Sequence, residues 1–214
     1  MLSYAFFQNA LAGVILISIA CSVIGVYVVT RRMVFIAGGI THTCFGGLGL
    51  GYFMGWNPLA TAAAFAVAGG LGVDAMSRRK VREDSAIAVV WALGMSLGIL
   101  FVFLTPGYVP ELNSFLFGNV LNITKTDLWI FAIFALAALA LFAAFGKVIA
   151  AVSFDEDFAR TLYLPVRFVN AVMMVMVSVC IVLTIKMIGV MLLMSLMSMP
   201  QLVAERVTHR YTRM

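Results

Sequence analysis

Apolar residues run through this chain in long unbroken stretches, separated by short charged or turn-forming breaks. The stretches fall at about 5–30, 33–55, 58–76, 85–104, 127–146, 168–185 and 187–204. Each approaches the ~20 residues a helix needs to cross the hydrocarbon core of a bilayer. In hydrocarbon every backbone polar group must be satisfied internally, which leaves helices or a closed barrel. The runs are continuous rather than alternating, so helices are the expected solution. The pattern predicts an all-α polytopic membrane protein of about seven spans, with residues 1–214 forming a single transmembrane domain. Pro58 opens the third stretch, and proline suits a first helical turn. The break at 105–126, "TPGYVPELNSFLFGNVLNITKT", is too polar to span, and its "SFLFGNVL" is expected to dip back as a short re-entrant piece. The first stretch lacks the basic region and cleavage site of a secretory signal and is read as a permanent span.

Composition sharpens this picture. The 214 residues are 64% hydrophobic and only 11% charged, against about a quarter charged in soluble domains. A soluble core has no room for so much apolar surface. The net charge of +5 raises a nucleic-acid reading, which the placement of the charges removes. With the N-terminus outside, twelve of the fourteen Lys and Arg fall on one side, and only Lys125 and Lys186 fall on the other. By the positive-inside rule the rich side is cytoplasmic. The expected protein is thus a multi-pass cell (inner) membrane protein with its C-terminus in the cytoplasm, solvated by lipid and not by nucleic acid.

Candidate chemistry starts at "FIAGGITHTCFGGLGLG" (35–51). His42 lies there at membrane depth, where an ionisable group is costly and commonly faces a cavity, partner or pathway. Neutral imidazole also binds transition metals. The simpler alternative is a neutral histidine bonded to a carbonyl of a neighbouring helix. Gly47, Gly51 and Gly55 follow at four-residue spacing, which lets helix backbones approach closely in lipid. Gly38 and Gly39 are expected either to pack or to break the helix and open backbone carbonyls near His42.

The loop "SFDEDFARTLYLP" (153–165) carries a second signal. Ser153 and Glu156 have capping-box spacing, so a short helix is expected to start at Ser153. Asp155, Glu156 and Asp157 would occupy its first turn, where the helix dipole favours anions. Phe158 and Leu162 would share a face, and Pro165 would limit continuation. The segment reads either as an ordinary capped surface helix or as a docking surface for a cytoplasmic partner.

Other features have plainer readings. "GMSLG" (94–98) matches a serine-hydrolase pattern, but that motif needs a strand–turn–helix setting and here sits inside an apolar helix. Gly94 and Gly98 read as a packing pair and Ser96 as bonding back to its own helix. An intramembrane serine protease using Ser96 and His42 is the alternative function, and a non-transporting packing subunit is another. The methionines of "KMIGVMLLMSLMSMP" (186–200) read as apolar filler ahead of soft-metal ligands, with Pro200 expected to kink or end that helix. Cys21, Cys44 and Cys180 read as small buried hydrophobes. Asp74 is expected to pair with Arg78. Glu111 and Asp127 are expected on the outer side. No phosphate-binding G-x-x-x-x-G-K-[ST] loop occurs, so this chain is not expected to be an ATP-hydrolysing enzyme, and active transport would draw energy from another chain or an ion gradient.

Four stretches in order, "VVTRRMVFIAGGITH" (28–42), "SFLFGNVL" (114–121), "SFDEDFARTLYLPV" (153–166) and "KMIGVMLLMSLMSMPQLVAE" (186–205), make the chain resemble, essentially end to end, the permease subunit of ABC-type importers for zinc, manganese or iron. The resemblance implies a homodimer of permeases, a separate ATP-binding cassette ATPase and an extracytoplasmic metal-binding protein. It implies a divalent metal as transported cargo and ATP on the partner subunit, with no cofactor bound stably here. The metal pathway would include His42, with Gly38 and Gly39 beside it. Coupling to the ATPase would run through Asp155, Glu156, Asp157, Phe158, Ala159 and Leu162. The chain departs from the family at Gly38, where the family carries an aspartate. Family members also continue past "MPQLVAE", so the chain is expected to be shortened at its C-terminus.

Overall fold

The computed structural model describes residues 4–106, 118, 120 and 123–207. These form seven helices: α1 (Ala5–Thr30), α2 (Ile36–Met54), α3 (Pro58–Arg78), α4 (Glu83–Leu104), α5 (Lys125–Phe154), the short α6 (Glu156–Thr161) and α7 (Val166–Val207). There is no strand among the described residues.

Local chemistry sets several of these ends. The Asn57 side chain caps α3 by accepting from the Leu59 and Ala60 amides, satisfying donors that no helical carbonyl reaches. Thr124 and Asp127 form a reciprocal capping box at the start of α5. Gly55 closes α2 in the left-handed region, at φ 68°, which is its role here in place of the packing expected from its spacing. The tight turns after α1, α3 and α6 are each closed by a non-glycine residue at positive φ: Arg32, Lys80 and Tyr163.

Among the described residues five helices are long and apolar enough to cross a membrane: the segments 6–30, 58–78, 83–104, 125–154 and 166–190. The expectation was about seven. The two remaining stretches are α2 and the part of α7 beyond Gly189. Glycines, threonines and His42 lower the hydropathy of α2, yet it is the helix at the centre, packed against α3, α4 and α7. Gly38 and Gly39 do not break it; α2 is continuous from Ile36, and Gly39 is pressed against Ile87 of α4. α5 runs eight residues past the expected end at 146, through Lys147 to Phe154.

α7 departs from helical geometry at Gly189 (φ 73°, ψ 176°), a conformation open to glycine and closed to most other residues. Before it, Cys180 and Thr184 lie beside Cys21, and Met187 lies beside Gly13. Beyond it, Leu192, Leu196 and Met199 line a hollow with Val14, Ile17 and Ser18. The chain therefore doubles back along α1 at Gly189. The break expected at 186, between the last two stretches, thus falls at Gly189, and Pro200, expected to kink or end the helix, lies within helix. Gly118 packs against Ile188 and Gly189 from the opposite strand of chain. The rest of "SFLFGNVL", apart from Val120, and Glu111 lie outside the described residues.

The seam between α2 and α4 is made of glycine. A Cβ on Gly46 would lie 2.8 Å from the Gly94 carbonyl, and one on Gly49 would lie 2.7 Å from that of Gly98. Gly47 and Gly51 are pressed the same way onto Thr61 and Pro58 of α3. In lipid, where apolar burial gives helices no reason to associate, such contact supplies the dispersion energy. The three cysteines are buried, as expected, and none forms a disulfide; the Cys21 and Cys180 sulfurs lie 3.7 Å apart.

This packing predicts an asymmetry between glycines. Gly94→Val forces a side chain into the His42 carbonyl, 2.8 Å from its Cβ, and is expected to lower stability by about 1–3 kcal/mol. Gly146→Ala meets nothing within 4 Å and is expected to be neutral or stabilising by up to about 1 kcal/mol. Thermal unfolding in detergent compares the two.

Candidate functional site

Two places hold the residues singled out by sequence. The first is the α2–α4 seam. His42 is half-buried, and its imidazole stacks on Trp91 with ring centres 4.3 Å apart and planes 19° from parallel. Its Nδ1 lies 3.0 Å from the Met95 sulfur. His42 thus meets side chains of α4 and not the backbone carbonyl of the plainer reading. Trp91 and Met95 are one turn apart on α4, and Gly94 between them presses on His42 and Thr43 of α2. The glycine seam therefore fixes the register that brings the three side chains together. Gly38 and Gly39 lie buried in the turn before His42, and the Gly39 carbonyl accepts a hydrogen bond from Thr43 at 2.8 Å. The Ser96 hydroxyl donates to the Leu93 carbonyl at 3.1 Å. That geometry is an ordinary helical back-bond, and His42 Nδ1 is turned to Met95, so no nucleophile–base pair forms from these two.

The second place is the end of the bundle where α6 sits. α6 starts at Glu156 with Asp155 as its cap: the Asp155 carboxylate accepts from the Phe158 amide at 2.9 Å. The expected start at Ser153 is wrong. Ser153 is buried in the last turn of α5, and its hydroxyl is spent on the Ile149 carbonyl 2.6 Å away. Glu156 therefore does not close a capping box and is free to face inward. Its Oε1 accepts from Arg31 Nη1 and from Asn170 Nδ2, each at 2.7 Å, and its Oε2 meets Arg160 at 3.3 Å. Arg31 also donates to Glu83 at 3.2 Å, which in turn accepts from Ser77. One guanidinium, only 12% exposed, thus ties the end of α1 to the start of α4 and to α6, while Asn170 adds α7. Nearby, Arg78 pairs with Asp74, as expected, and donates to the Arg167 carbonyl at 3.3 Å.

On α6 itself, Ala159 is fully buried, whereas Phe158 and Leu162 are 57% and 53% exposed. The apolar face read from sequence is real and points outward, leaving only Ala159 to seat the helix. Beside it lies a hollow of about 600 Å³ lined by Arg78, Glu156, Arg160, Arg167, Phe168 and Asn170. Asp157 is exposed and pairs with Arg160. At the opposite end, Asp127 pairs with Lys186 and caps α5 through Thr124. Its charge is therefore already matched.

Sequence reading counted Arg31 as one more cation for topology and passed over Glu83 and Asn170. Nothing in local spacing joins residues 52 and 125 positions apart. The one available signal was that Arg31 follows a span while acidic residues open two later helices.

The ABC 3 transport family matches residues 3–214 of the chain. An uncharacterized membrane protein of Synechocystis sp. is 36% identical over 95% of this chain and 73% of its own length. The manganese transport system membrane protein MntC of Listeria innocua is 29% identical over 100% of this chain and 76% of its own length. A probable metal transport system membrane protein of Chlamydia pneumoniae is 32% identical over 92% and 69%. In fold, the chain is similar to PsaBC from Streptococcus pneumoniae in complex with Fab, with a TM-score of 0.82 at 24% identity, covering 99% of this chain and 76% of the other.

The contacts of Glu156 set its pH response. Burial raises its pKa, but the Asn170 hydrogen bond and the Arg31 charge outweigh burial, and the net shift is downward from 4.5. A carboxylate with a lowered folded pKa contributes stability above its unfolded pKa and loses it as pH falls through the folded value. The stability gap between the native chain and Glu156→Gln is therefore expected to stay constant near neutrality and to shrink below about pH 4.5. Thermal unfolding across that range reads it.

Proposed function

The chain belongs to the ABC 3 transport family, and from that premise we propose that it is the membrane-spanning permease subunit of an ATP-driven importer of divalent metal cations. The observation that carries this reading is α6: a short helix held by a partly buried ionic cluster that leaves Phe158 and Leu162 outside for a partner to grip. The partner is a separate ATP-binding cassette ATPase, docking on α6 and the arginine-lined hollow at the cytoplasmic end. A second copy of the chain flanks the path, and an extracytoplasmic metal-binding protein delivers the cation. The names of MntC and of the chlamydial relative support a metal as cargo.

Mechanism follows from connectivity. Closure of the ATPase dimer moves α6. Because Glu156 is tied to Arg31, and Arg31 to Glu83, that displacement reaches the α1–α2 turn and the foot of α4 together. α2 and α4 are locked by their glycine seam and move as a unit, carrying His42. A two-state rearrangement of rigid elements of this kind is how a displacement at one site opens a cavity elsewhere. Contact with the cation at His42 is transient, since tight binding would stall release.

Three variants separate the roles. Phe158→Asp is expected to weaken co-purification with the ATPase by roughly tenfold or more, by placing a charge in an apolar contact. Arg31→Gln is expected to keep the complex and its ATP hydrolysis but to lose most metal uptake in vesicles. His42→Ala is expected to cut uptake with assembly intact. Assembly and uptake at native levels in all three would overturn the reading.

A further inference from the structure

A groove of about 400 Å³ lies between α1 and α5, at the end of the bundle away from α6. Asn9 meets Ile123, and Gly13, one turn on, meets Leu128. The two helices therefore run inward side by side from this end, and position along each measures depth. Asn9 and Lys125 stand at the mouth, Ala12, Leu128 and Trp129 follow, and Leu16 and Ala132 form the floor. From Asn9 to Leu16 the groove is about 10 Å deep at the helical rise per residue. Its lining is polar at the mouth and apolar along nearly all the rest. Lys186, the other cation of this end, pairs with Asp127, whereas Lys125 has no carboxylate partner among the described residues. Trp129 is 71% exposed, and its ring stands near the helix start, where the aromatic belt of a membrane protein lies. Ile133 and Leu136 continue the exposed stripe along the same face of α5. The groove thus opens beside a face made for acyl chains.

We propose that this groove binds one anionic phospholipid, with its phosphate on Lys125 and an acyl chain laid past Ala12 and Leu128 to the floor. An apolar groove alone would take any hydrocarbon chain, and a lone lysine would take any anion. An amphiphile with a negative head satisfies both ends at once. Lysine near a membrane surface attracts anionic headgroups, and the long lysine side chain keeps its charge at the headgroup level while its stem lies along apolar surface. The bound lipid bridges the starts of α1 and α5. The site is separate from α6 and from His42, so its loss leaves the permease reading standing.

Trp129 is a built-in reporter. The full chain carries three tryptophans, so Trp56→Phe with Trp91→Phe leaves Trp129 alone. That chain is reconstituted in vesicles of mixed phosphatidylcholine and phosphatidylglycerol, with one or the other lipid brominated on its acyl chains to quench a nearby indole. At equal mole fraction, brominated phosphatidylglycerol is expected to occupy the site with a preference of about fivefold over brominated phosphatidylcholine. Lys125→Gln is expected to bring the ratio to about one, and Lys125→Arg to keep it. Ala12→Leu, which fills the groove and leaves the lysine, is also expected to remove the preference. Excess soluble glycerol phosphate is expected to leave it unchanged, because a head without a tail gains nothing from the floor. Equal quenching by both lipids in the unsubstituted groove, a preference that survives Lys125→Gln or Ala12→Leu, or displacement by glycerol phosphate would each overturn the proposal. So would quenching by neither lipid, the result expected if a second copy of the chain covers the groove.

Discussion

One partly buried guanidinium organises the end of the bundle where α6 sits. Arg31, 12% exposed, is held between Glu83 and Glu156, 29% and 26% exposed, two carboxylates brought from distant parts of the chain. Partial burial weakens screening, so losing one partner of this cluster costs more than the ~0–1 kcal/mol of a surface pair and less than the ~3–5 kcal/mol of a fully buried one. The turn after α1, the start of α4 and the whole of α6 are therefore not free to separate. α6 has only six residues and one buried side chain, Ala159, too little apolar contact to hold it by packing. Its position is an electrostatic fact before it is a hydrophobic one.

The membrane interior is held by a different force. Polar attachment would be expensive there and apolar burial drives nothing between helices, so contact has to be close. Glycines 46, 47, 49, 51, 94 and 98 remove side chains at the closest approaches of α2 to α3 and α4. The two devices meet in α2: its entry is tied to Arg31 through the preceding turn, and its middle is locked to α4. A push on α6 and the placement of His42 thereby become parts of one rigid problem.

Much of this was legible in the sequence. Continuous apolar runs mark helices because hydrocarbon allows no other open structure, and the boundaries at Pro58, Thr30 and Leu104 follow from breaks in those runs. The glycine spacing announced close packing, and Asp74 with Arg78 announced a local pair. What escaped reading was of two kinds. Capping signals overlap: Ser153 and Asp155 both suit an N-cap, and only the length of α5 decides between them. Long-range pairs escape altogether, since Arg31, Glu83, Glu156 and Asn170 share no spacing, and Met95 meets His42 only because two helices have a particular register. The break expected near Lys186, between the last two apolar stretches, falls three residues later at Gly189, where glycine alone tolerates the positive φ, while Pro200 stays within helix.

The central claim is that Arg31 and Glu156 are energetically joined, so that α6 is a handle on α1, α2 and α4. A double-mutant cycle with Arg31→Met and Glu156→Gln, read by reversible unfolding in detergent at neutral pH, measures it most directly. The account predicts a coupling energy of about 1–3 kcal/mol between the two positions. Additivity within about 0.5 kcal/mol would contradict it.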